Sequence, residues 1–161
     1  SKKVGVFATK GTVASQSYVV EINHAFPDIE VFQEACPMWV PLVENNEYNA
    51  AGADYFIQKH IDSLLSQQPA IDTILLGCTH YPLLADKIRK YTPAHISIVS
   101  QGEIVANSLA DYLSRHPEIE QYCSKGSTRH YLTTDDTENF NAHASTFLGR
   151  EVFSQHVGII G

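Results

Sequence analysis

Asp72-Thr73-Ile74-Leu75-Leu76-Gly77-Cys78-Thr79-His80-Tyr81-Pro82 runs from an apolar stretch into a turn and on to a proline suited to the first turn of a helix, where its missing N–H has no cost. A strand from Asp72 to Leu76 followed by a helix from Pro82 through Arg89 makes one βα unit. Similar units flank it. Upstream, Val4-Gly5-Val6-Phe7-Ala8 reads as a buried strand, and Thr12 onward as a helix with Val13, Val19, Ile22 and Phe26 apolar and Pro27 at its end. Ile29 to Phe32 gives a second strand. Cys36 to Asn49 reads as an irregular site loop, because Pro37 and Pro41 each lack a donor and bias the residue before them away from helix. Between Ala50 and Gln67 the residues Phe56, Ile57, His60, Ile61, Leu64 and Leu65 recur at helical period. Ile96 to Val99 is a fourth strand, after which Ser100 and Glu103 form a capping box for a helix carrying Ile104, Val105, Leu109, Tyr112 and Leu113. This alternation predicts an α/β fold, a three-layer α/β/α lobe built on a parallel sheet.

Beyond Ser100 the pattern is less regular. His116 to Thr128 reads as a polar connection, His130 to Thr133 as a strand, Thr137 to Leu148 as a helix stopped by Gly149, and Val152 as the start of a last strand. Roughly 60 residues with two strands and two helices are marginal as an independent core. The expected division is therefore a complete lobe over 1–99 and an incomplete second lobe over 100–161.

Composition narrows the function. With 43% hydrophobic residues the chain can bury a sizeable core, and with 18 acidic against 11 basic residues its formal charge is −7. That balance argues against nucleic acid as a partner, since phosphate binding needs a basic surface. Runs such as Ile74-Leu75-Leu76 are far shorter than the roughly 20 apolar residues of a membrane span. Three widely spaced cysteines, Cys36, Cys78 and Cys123, leave at least one unpaired and fit a reducing cytoplasm.

Cys78 stands where open α/β sheets hold their ligands, at the carboxyl end of a strand and ahead of a helix. N–H groups at a helix start favour negative charge, whether a thiolate or a substrate carboxylate. His80 can relay a proton to the sulfur, and Thr79 adds a hydroxyl at the same turn. The plainer alternative is a small buried hydrophobe beside a solvated histidine. A metal is disfavoured, because Cys-x-His supplies two ligands and no second paired motif completes a tetrahedral site.

Leu75 to Leu84 resembles the C-terminal cysteine motif of the glutamate racemases. Thr9-Lys10-Gly11-Thr12-Val13-Ala14-Ser15-Gln16-Ser17-Tyr18 and Ala35-Cys36-Pro37-Met38-Trp39-Val40-Pro41-Leu42-Val43-Glu44 are similar to further family motifs in the same order, as are Ser100-Gln101-Gly102-Glu103 and Thr133-Thr134-Asp135. The resemblance implies cofactor-independent interconversion of L- and D-glutamate for peptidoglycan, with two cysteines on opposite faces of the substrate. It implies Cys78 as one of them, His80 as its proton-handling neighbour, and Thr79, Glu44 and Thr12 as residues at the substrate. The family's other motif, cysteine followed by asparagine and threonine, is not found in this sequence, where Cys36 precedes Pro37 and Cys123 precedes Ser124. The expectation is thus a C-terminal portion that holds half an active site and is inactive alone. Exposure of an incomplete lobe favours self-association as a homodimer. Two other readings stand beside it: a racemase for another amino acid such as aspartate, and an inert binding or regulatory module of the same fold.

Overall fold

The computed structural model describes residues 2–158, so the outermost residues of both expected lobes lie outside it. Two compact units divide the chain, Ser1–Ser108 and Leu109–Gly161. In the first, β1 (Lys3–Ala8), β2 (Glu30–Ala35), β3 (Thr73–Leu76) and β4 (Ser97–Ser100) form one sheet in the order β2-β1-β3-β4, and every pairing is parallel. The α/β class expected from the alternation is the class observed. Val6, Phe7 and Ala8 are consecutive and all fully buried. Successive strand residues point to opposite faces, so β1 is covered on both sides, as parallel sheets require.

The sheet grows outward from β1 in both directions, first to β2 and then to β3. The switch of direction lies between β1 and β3, and the carboxyl ends of those two strands flank the crevice that such a switch creates. Phe7 stands beside Leu76 in register, which puts Thr9 and Cys78 just beyond the two ends.

The helices follow the sequence with three differences. The expected single helix after β1 is two, α1 (Lys10–Ser15) and α2 (Ser17–Ala25), broken where Gln16 takes a left-handed conformation at φ 55°. Thr9 caps the first of them by accepting from the Thr12 N–H. The expected loop after β2 contains a helix, α3 (Trp39–Glu44). Pro41 is its third residue, within the first turn whose N–H groups have no intrahelical partner in any helix, so proline is tolerated there. The helix expected from Pro82 begins as a 3₁₀ turn (Tyr81–Leu84) and continues as α5 (Ala85–Tyr91). The long helix α4 (Ala51–Gln67) matches its apolar stripe: Ile57, Ile61 and Leu64 are fully buried. His60, in the same stripe, is buried with its Nδ1 2.7 Å from Glu34 Oε1, and Ser63 Oγ donates to the other oxygen of that carboxylate. The core lies between these helices and the sheet. At its centre Trp39 stands 4.8 Å from the ring of Phe7 and 4.9 Å from that of Tyr81.

The helix α6 (Gln101–Arg115) starts after β4 and runs across the division. In the second unit the connection from His116 is not wholly irregular, since Pro117 opens the one-turn helix α7 (Pro117–Glu120). A βαβ unit follows: β5 (Tyr131–Thr133), α8 (Thr137–Leu148) and β6 (Ser154–His156), the strands pairing in parallel. Asp136 caps α8 by accepting from Asn139 N–H at 2.7 Å, and Gly149 ends it at φ 62°. Of the described residues in this unit only Thr133 and Val152 are buried. Among the described residues no helix is long and apolar enough to cross a membrane.

Candidate active site

Cys78 follows β3 after Gly77, at the switch crevice, and is half-buried. With Thr79 it lines a cavity of about 370 Å³ that is completed by Leu76, Pro82, Gln101, Gly102 and Val105. His80 stands beside the sulfur, with Nδ1 3.8 Å from Cys78 Sγ. Its other nitrogen, Nε2, is 3.2 Å from Glu44 Oε1, at the end of α3. Two residues 36 positions apart are thereby joined, and the helix inside the expected loop is what brings Glu44 there. Four of the five expected site residues, Cys78, Thr79, His80 and Glu44, thus gather around one turn. Thr12 lies beyond the end of β1, in the capping turn of α1, with its hydroxyl 2.9 Å from that of Thr9; of the five, Cys78 and Thr79 line the cavity.

The three thiols differ in setting. Cys36 is buried against Glu34 O, and burial, with the nearby Glu34 carboxylate adding to it, pushes its thiol far above the ordinary cysteine range. It stays a neutral core residue. Tyr81, whose hydroxyl donates to Cys36 O, is pushed up by burial as well. Cys123 is exposed in the second unit. Only Cys78 combines partial exposure, a cavity and an imidazole. Among the described residues no three His, Cys, Asp or Glu side chains gather as a metal site needs.

The chain is 36% identical over 152 residues to glutamate racemase 2 of Caldanaerobacter subterraneus, an alignment covering 94% of this chain and 56% of that protein. The crystal structure of a glutamate racemase isoform from Bacillus anthracis matches it with a TM-score of 0.83 and 28% identity, over 98% of this chain and 58% of that one. The chain is a homologue of glutamate racemases. It spans rather more than half the length of the relatives it matches. The glutamate racemase of Francisella tularensis, solved in complex with D-glutamate, shares the fold at a TM-score of 0.80 and 23% identity. No protein-family model matches the chain.

In this racemase homologue the cavity wall from α6 is what sequence reasoning left unassigned. Gln101, Gly102 and Val105 follow β4, the strand beside β3, so their helix starts next to the Cys78 turn. Sequence periodicity put Val105 among the apolar residues of this helix, and the structure leaves it 60% exposed at the cavity.

Proposed function

We propose that the chain supplies one face of a cofactor-independent glutamate racemase site, in which Cys78 exchanges the α-proton of glutamate. The observation that carries this reading is the relay from Cys78, which lines a cavity of amino-acid size, through His80 to Glu44. With the Glu44 carboxylate accepting from Nε2–H, Nδ1 is left as the acceptor and takes the Cys78 proton, so the imidazolium forms between thiolate and carboxylate. The thiolate then removes the α-proton, and the electron pair left on Cα spreads into the substrate carboxylate. Such a weak carbon acid needs a close, oriented base and donors already in place around that carboxylate. Thr79 is suited to be one of them.

Inversion needs a second acid on the opposite face, and neither buried Cys36 nor Cys123 is suited to it. In this reading residues 1–99 act as the lobe bearing Cys78, 100–161 belong to a second lobe, and Thr79, Glu44 and Thr12 stand at the substrate. A cytoplasmic homodimer providing D-glutamate for peptidoglycan belongs to the same proposal. One observation favours an inert glutamate-binding module instead: of the three cysteines, Cys78 alone lines the cavity.

Protection of Cys78 from iodoacetamide by glutamate, read by peptide mass spectrometry, tests the site. Glutamate is expected to slow alkylation at Cys78 and leave Cys123 unaffected. Equal protection by aspartate would move the assignment to another amino-acid racemase, and no protection by either would remove the site from Cys78.

A further inference from the structure

Gly77 links β3 to Cys78, and its N–H donates to Phe7 O at 2.8 Å. A Cβ at Gly77 would lie 2.9 Å from Cε2 and 3.1 Å from Cζ of Tyr18, and 3.0 Å from Phe7 O. The Tyr18 ring therefore rests on the peptide that carries Cys78 into its turn, so closely that a side chain there would displace one or the other. At the far end of the ring the Tyr18 hydroxyl accepts from Gln101 Nε2. Gln101 shares the cavity wall with Cys78 and Thr79. Tyr18 belongs to α2, the helix redirected by the left-handed residue Gln16. One half-buried side chain thus touches both the backbone behind the thiol and a residue in front of it.

We propose that Tyr18 is a positioning residue for this site: its ring fixes the Gly77 peptide, and with it Cys78, while its hydroxyl holds the Gln101 amide on the cavity wall. The proposal rests on Cys78 being the acid–base group. It predicts that ring and hydroxyl have separable effects. A thiol's reactivity follows its exposure and the groups around it, both set by the turn, so Tyr18→Ala is expected to change the ratio of Cys78 to Cys123 alkylation by about tenfold, and Tyr18→Phe by less than about twofold.

Cys123 lies in the other unit and serves as the internal reference. Tyr18→Leu, which retains apolar bulk but cannot lie flat on a peptide, is read in the same way should the alanine variant fail to fold by circular dichroism. The hydroxyl is tested by glutamate protection of Cys78. Tyr18→Phe and Gln101→Ala are each expected to weaken it, and the double variant to weaken it no further than either alone, because both remove the same bond. A ratio unchanged in Tyr18→Ala and Tyr18→Leu overturns the role of the ring, and losses that multiply in the double variant overturn the Gln101 link. Absence of protection in the wild type overturns the glutamate reading and the Gln101 link with it, while the alkylation ratio still decides the ring.

Discussion

At Cys78 the sequence places a thiol at a strand end, and the fold adds what the linear order hides. His80 is two residues away and legible as a neighbour, but Glu44 lies 36 positions upstream and reaches Nε2 only because α3 forms. Periodicity carries no information about such a pair; the resemblance to a family motif did. Removing the imidazole takes away the proton acceptor, so His80→Asn is expected to slow α-proton exchange by about a hundredfold, the usual size of a general acid–base contribution. The exchange rate by NMR checks it. Trp39 bears on the same turn through Tyr81, and its full burial makes Trp39→Ala a core deletion costing about 3–5 kcal/mol, measured by urea unfolding.

At the scale of elements, the strands and the long helix were readable because their signals are local. The apolar run Val4-Gly5-Val6-Phe7-Ala8 marks β1, and an apolar stripe at helical period marks α4. What was not readable depends on context: proline excludes helix interiors but not first turns, so Pro41 and Pro117 pointed to loops where α3 and α7 stand. The break at Gln16 is a backbone choice that no propensity marks. Between α4 and α5, Asp54 accepts from Lys87, and that bond is the main cause holding its carboxyl below the ordinary 3.8. A depressed carboxylate contributes stability above its unfolded-state value and loses it as pH falls through the lower folded-state value. Asp54→Asn is therefore expected to lower the melting temperature at about pH 7, and by progressively less as pH falls through the folded-state value. Gly149 ends α8 at φ 62°, where an alanine is expected to destabilise by about 1 kcal/mol in the same kind of melt.

Taken whole, the chain divides its stability unevenly. The first unit holds a continuous core from Phe7 to Ile96, whereas the described part of the second buries only Thr133 and Val152 and exposes Leu132 and Phe153. Amide hydrogen exchange is expected to be faster in α8 and β5 than in β1 and β3, because segments with few buried contacts open at lower free energy. Equal protection of the two would contradict that division. The two compact units meet at Ser108, inside the single helix α6 whose start follows β4. The cavity, by contrast, lies wholly within the first unit, and of the three cysteines Cys78 alone lines it. A base on one face can exchange the α-proton of a single enantiomer without inverting it. Incubating each enantiomer of glutamate in D₂O, with deuterium entry followed by NMR and configuration by optical rotation, is the direct test. A Cys78 base predicts deuterium entering one enantiomer with its rotation retained, and none entering in Cys78→Ser. Exchange that survives in Cys78→Ser, or none in the folded wild type, would contradict it.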